Sequence, residues 1–125
     1  MGRILVVDDE PDIVELIVRL LAKDHHVSCA YSAAEALAMI DDCDPGVAIV
    51  DVAMPGMDGL ELVRSIRGRE TTRRLPVVFL SARVLPADIE AGLTLGDEYL
   101  TKPCRGDVLR EVVDRLLAAG TGASP

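Results

Sequence analysis

Residues 47–59 read VAIVDVAMPGMDG, and the junction at Asp51 decides how the rest of the chain is understood. Val47–Val50 is an unbroken apolar run of strand length, so the expectation is a strand buried on both faces, as in a parallel sheet. It stops on a carboxylate, and a carboxylate just beyond an apolar strand is costly unless it has a partner or a task. The loop that follows carries Pro55, Gly56, Gly59 and two Met, more than a plain turn needs. Asp58-Gly-Leu-Glu61 then has the spacing of a capping box, with Leu62, Val63 and Ile66 facing inward on the helix it opens.

Outward from this junction the same unit repeats. Arg3–Val7 is a strand candidate, and Pro11 opens a helix with Ile13, Leu16, Ile17, Leu20 and Leu21 at helical spacing. His26–Tyr31 is the second strand. Ser32-Ala-Ala-Glu35 is a second capping-box pattern, opening a helix to Ile40. Val77–Leu80 is the fourth strand, followed by a helix near Ala87–Leu95 and a short strand at Glu98–Leu100. The last helix, about Gly106–Ala119, carries Leu109, Val112, Val113, Leu116 and Leu117. Alternation of this kind predicts a doubly wound α/β fold of type (βα)5, with helices on both faces of a five-stranded parallel sheet. Residues 1–119 are expected to form one domain, with 120–125 (GTGASP) as a flexible tail or the start of a linker.

The 125 residues include 13 basic and 21 acidic side chains, a net charge of -8. That excludes nucleic-acid binding as the natural reading of this domain and suits a cation or a basic partner surface. Cys29, Cys43 and Cys104 lack metal-ligand spacing and are read as reduced thiols, which predicts a cytoplasmic location. The opening MGRILVVDDE is not expected to act as a signal peptide, Val6 stands where a myristoylation signal needs Ser or Thr, and no apolar run reaches membrane-spanning length.

In an open α/β sheet, ligands bind beyond the carboxyl ends of the strands. There the sequence places Asp8, Asp9 and Glu10 after strand one, Asp51 after strand three, Ser81 after strand four and Lys102 after strand five. Carboxylates gathered in this way need a counter-charge. Mg²⁺ is the expected cofactor because it prefers oxygen ligands and keeps several waters. An ammonium and a hydroxyl beside it complete what phosphoryl transfer requires, with Asp51 as nucleophile forming an aspartyl phosphate.

Four stretches in this order, LVVDDEP at Leu5–Pro11, DVAMPGMDG at Asp51–Gly59, LSA at Leu80–Ala82 and YLTKP at Tyr99–Pro103, resemble the response-regulator receiver domain of two-component signalling. The resemblance runs from Arg3 to about Leu117. It implies a flavodoxin-like sheet in the order 2-1-3-4-5. It also implies metal ligation by Asp9, by Asp8 through water, by Asp51 and by the backbone carbonyl of Ala53. Phosphoryl transfer to Asp51 would come from a histidine kinase or histidine phosphotransfer domain, helped by Lys102 and Ser81. The same resemblance implies a switch pair of Ser81 and Tyr99 acting on the surface of the fourth helix, fifth strand and fifth helix, and a cis Lys102–Pro103 peptide. Membrane contact is not expected, and a second copy of the chain is a candidate partner on activation.

Some positions depart from that pattern or carry plainer readings. Leu95 stands where a glycine of positive φ ordinarily ends the fourth helix, and Cys104 replaces the usual Phe without an assigned redox role. Ala53 and Arg83 stand where the family tunes phosphoryl lifetime. His25 and His26 are expected as exposed turn residues, and Arg67–Arg74 (RGRETTRR) as a solvated loop. Asp8–Glu10 alone could cap a helix, Ser81 could be an ordinary turn residue, and Tyr99 could be static core. The rival functions are a small Mg²⁺-dependent phosphohydrolase using an aspartyl phosphate and a degenerate receiver acting as a docking scaffold. The first would want an acid/base Asp two residues past the nucleophile, where Ala53 stands.

Overall fold

A computed structural model describes residues 2–122. The expectations placed on Met1 and on residues 123–125 lie outside the described residues. Five strands, β1 (Arg3–Val7), β2 (His26–Ala30), β3 (Val47–Val50), β4 (Val77–Ser81) and β5 (Glu98–Thr101), form one parallel sheet in the order β2-β1-β3-β4-β5. Between and after them run α1 (Pro11–Leu21), α2 (Ala33–Cys43), α3 (Gly59–Arg67), α4 (Pro86–Leu95) and α5 (Gly106–Gly122). The backbone of α5 therefore continues three residues into the segment expected as a tail.

Alternate strand residues feed two aliphatic cores, as the pleat requires. Leu5, Val7, Ala48, Val50, Val77 and Phe79 face α2 and α3. Ile4, Val6, Val47, Ile49, Val78 and Leu80 face α1 and α5. All four residues of β3 are buried, as an unbroken apolar run in a central parallel strand should be.

The caps follow the sequence closely but not completely. At α3 the box closes in both directions, Asp58 accepting from the Glu61 N–H and Glu61 from the Asp58 N–H. At α2, Ser32 accepts from the Glu35 N–H, but the Glu35 carboxylate turns to the N–H of Tyr31 instead of Ser32. No left-handed residue ends α4: Gly96 is extended at φ -109°, and the Leu95 carbonyl accepts from Arg67 Nε at 2.9 Å.

One expectation about exposed loops is corrected and another is refined. His25 is buried, accepting at Nδ1 from the Gly2 N–H and facing Asp114 from Nε2, both at 2.9 Å, while His26 is exposed. A backbone N–H can only donate, so the ring proton sits on Nε2 toward the carboxylate. The imidazole thereby ties the amino end of β1 to α5. His25→Ala is expected to destabilise the fold by about 2–3 kcal/mol, because it empties a buried site and strands the Gly2 N–H. Chemical unfolding at neutral pH checks this, and a loss under 0.5 kcal/mol would show the tie to be idle. The basic run is mostly exposed, as expected, but it is tied down at specific points. Arg69 pairs with Asp41 at 3.1 Å, and the Thr72 hydroxyl donates to the Ile66 carbonyl at 2.7 Å.

Candidate functional site at the carboxyl edge

Strand register assembles the site. Val7 pairs with Val50 across β1 and β3, so the next residue of each strand, Asp8 and Asp51, emerges at the same edge. The Asp51 N–H donates to the Val7 carbonyl at 3.0 Å and the Asp8 N–H to Ala30 at 3.2 Å. On the other side Ser81 pairs with Thr101, and the Lys102 N–H donates to the Ser81 carbonyl at 2.8 Å. The Lys102–Pro103 peptide is cis. After β3, Gly56 turns the loop at φ +75°, and the Gly59 N–H donates to the Val52 carbonyl at 2.8 Å. A Cβ at Gly59 would overlap the Asp51 carbonyl, so only glycine lets α3 begin this close to the strand end.

The charges converge accordingly. Lys102 Nζ lies 2.8 Å from Asp8 Oδ2 and 3.5 Å from Asp51 Oδ2. Asp51 is 4% exposed and Asp8 2%. Asp8 also accepts from the Glu10 N–H at 2.9 Å, and Asp51 from the Ala53 N–H at 3.4 Å. Burial raises the Asp51 carboxyl above the usual carboxylate range and the Asp8 charge adds to this, with Lys102 and the Ala53 N–H pulling the other way. Burial pulls the Lys102 ammonium down, but the Asp8 hydrogen bond and the charges of Asp51, Asp8 and Glu10 outweigh it, so the net shift is upward.

Asp8, Asp9 and Glu10 each bring a carboxylate oxygen within 4.8 Å of one another. Glu10, which the sequence places after strand one beside Asp8 and Asp9, turns its carboxylate back to that pair. Asp51 stands outside that group of three and is joined to it through Lys102. Four carboxyl groups against one ammonium, all offering hard oxygen donors, fit a small divalent cation. The Ala53 side chain is exposed.

Ser81 is fully buried, and its Oγ accepts from the Arg83 N–H at 3.2 Å. The carbonyl of the same Arg83 accepts from the Tyr99 hydroxyl at 2.7 Å. Tyr99 is half-buried, its ring 5.9 Å from that of Phe79 and beneath Gly92, where a Cβ would meet Tyr99 Cδ2 at 2.5 Å. Cys29, Cys43 and Cys104 are all free thiols. Burial and the nearby Asp107 push the Cys104 thiol up, away from a reactive thiolate.

A twisted parallel sheet with carboxylates, a lysine and a buried serine at one edge defines a class, and comparison with known proteins agrees. The response regulator receiver domain family matches residues 4–114, and the chain belongs to that family. Among curated relatives, the transcriptional regulatory protein TrcR of Mycobacterium tuberculosis is 40% identical over 116 residues, 91% of this chain and 43% of TrcR. The regulatory protein VanR of Enterococcus faecium is 38% identical over 105 residues, 82% of this chain and 44% of VanR. The chain thus spans less than half the length of these two relatives. A solved signal receiver domain of a histidine kinase from Syntrophus aciditrophicus superposes with a TM-score of 0.87 at 33% identity, covering 95% of this chain and 92% of that one. Among the described residues no helix is long and apolar enough to cross a membrane.

Proposed function

We propose that the chain is the phospho-accepting switch of a two-component system, taking a phosphoryl group from a phosphohistidine onto Asp51 in a Mg²⁺-dependent reaction. The observation that carries this reading is the Asp51 carboxylate, buried at the sheet edge with an ammonium 3.5 Å away. Held away from bulk water by a rigid strand, it is a positioned nucleophile. In the proposed step an Asp51 oxygen bonds to phosphorus and the phosphorus–nitrogen bond to the donor imidazole breaks. That nitrogen keeps the electron pair and takes up a proton from solvent. Lys102, already shared between Asp8 and Asp51, turns toward the phosphoryl oxygens as negative charge arrives there. Asp8, Asp9, Asp51 and the Ala53 carbonyl would hold the Mg²⁺, which when bound neutralises phosphoryl charge.

The donor is a histidine kinase or histidine phosphotransfer domain in the cytoplasm, and the chain processes no external metabolite. Ser81 and Tyr99 grip the two sides of one peptide strap, the N–H and C=O of Arg83. A Ser81 hydroxyl that turns to the phosphoryl group releases one grip, and the strap carries the change to α4, β5 and α5. That surface then meets the effector or a second copy of the chain.

Intact-protein mass after incubation with Mg²⁺ and acetyl phosphate tests the reading. One added phosphoryl group is expected, labile to hydroxylamine and absent with chelator. No adduct, with Mg²⁺ binding demonstrated, would leave a docking scaffold, and rapid turnover of phosphate esters would make the chain a phosphohydrolase.

A further inference from the structure

The two ends of α4 are held in unlike ways. At the carboxyl end, Arg67 on the last turn of α3 donates from Nε to the Leu95 carbonyl and from Nη1 to the carbonyls of Arg73 and Leu75. Its Nη2 lies 3.5 Å from Asp97 Oδ2, and that oxygen also accepts from the Val77 N–H at 2.8 Å. The Asp97 N–H returns a bond to the Val77 carbonyl at 2.8 Å. One planar guanidinium therefore binds the last carbonyl of α4, the loop before β4 and the acid before β5. It holds the end of α4 where the helix has no left-handed cap, Gly96 being extended at φ -109°.

The amino end has no such anchor. Residues 82–87 are all exposed, and the N-cap position is Leu85, which has no side-chain oxygen to offer. Along the whole helix only Gly92 is buried. Ser81 Oγ and Tyr99 Oη hold the Arg83 peptide just upstream.

We infer that Arg67 is the pivot of α4: the helix turns about a clamped carboxyl end while its amino end follows the Arg83 strap. What drives the turn rests on the switch reading above; where the pivot lies does not. A guanidinium fork fixes several carbonyls at once, so losing it frees the carboxyl end and converts a pivot into a slide.

Hydrogen exchange read by mass spectrometry tests this on the full chain, with and without acetyl phosphate and Mg²⁺. In unmodified protein, Arg67→Met is expected to speed exchange of the amides at residues 93–97 by about tenfold or more, leaving residues 85–90 and the strands unchanged. Arg67→Lys keeps the charge opposite Asp97 without the fork and should fall between. On phosphorylation, changes in α4 should stay within residues 82–90 in the parent chain and spread to 93–97 in Arg67→Met. Unchanged exchange at 93–97, or a uniform acceleration along α4, overturns the pivot. A parent chain that takes no phosphoryl group overturns the switch reading and with it the turn, and the comparison of unmodified variants still decides whether Arg67 clamps the carboxyl end of α4.

Discussion

Asp51→Asn is expected to abolish phosphoryl incorporation and, in the same protein, to raise the unfolding temperature. The amide removes the carboxylate proposed as nucleophile, so the mass adduct should fall to background. Its effect on stability follows from what surrounds Asp51. Burial and the neighbouring Asp8 charge push the carboxyl upward more strongly than Lys102 and the Ala53 N–H pull it down. A carboxyl whose folded pKa lies above its unfolded value holds its proton more tightly in the folded state. The stability linked to it is therefore present at low pH and lost as pH rises from the ordinary value of 3.8 through the raised folded one. At neutral pH the ionised Asp51 works against the fold, and a neutral side chain of the same shape removes that penalty. The expected gain is about 0.5–2 kcal/mol, a rise of a few degrees in midpoint. Thermal melts in chelator at pH 7 and near pH 4 check it, since the advantage of the variant should shrink in acid. An Asp51→Asn protein that melts below the parent chain at pH 7 would mean that Lys102 already outweighs burial and Asp8.

The sequence showed most clearly what depends on neighbours along the chain. Val47–Val50 announced a doubly covered strand because every position was apolar, and Asp58–Glu61 announced a helix start because both halves of its cap lie within one turn. The carboxyl edge was legible for the same reason: Asp8, Asp51, Ser81 and Lys102 each stand at or just beyond the end of an apolar run, and parallel strands deliver their ends to one side. What stayed hidden were polar ties between distant segments. His25 meets Asp114 across 89 positions and Arg67 meets Leu95 across 28. Nothing in a His-His pair or an Arg-rich turn says which backbone will pass beside it. The Leu95 departure was visible but its resolution was not, because the compensating donor sits on another helix. Glu35 shows a subtler limit: its box pattern was correct, yet the carboxylate chose the N–H one residue earlier.

Lys102→Met is expected to be the most destabilising single change at the site. The thioether fills much of the space of the lysine stem, so what is lost is the ammonium. Asp8, with its side chain 3% exposed, would retain only the Glu10 N–H as a donor, and Asp51 only the distant Ala53 N–H. Removing one partner of a buried ion pair leaves an uncompensated charge and costs about 3–5 kcal/mol. The upward shift of Lys102 means its contribution is fully present below the ordinary lysine value of 10.5 and disappears only as pH rises through the folded one. The difference between variant and parent should therefore be complete at pH 7. It should narrow in acid, where the carboxyl groups take up protons and no longer need the ammonium. Urea unfolding at pH 7 and pH 4 measures both. Phosphoryl incorporation in the folded fraction should slow by about 10²–10³-fold, the range for losing one preorganised charge donor. Adding Asp8→Asn separates the two effects. Neutralising the stranded carboxylate should restore much of the stability without restoring phosphorylation, giving a large coupling between positions 8 and 102. Strictly additive effects would instead mean that the 2.8 Å contact carries no energy of its own, and that Asp8 is compensated from elsewhere.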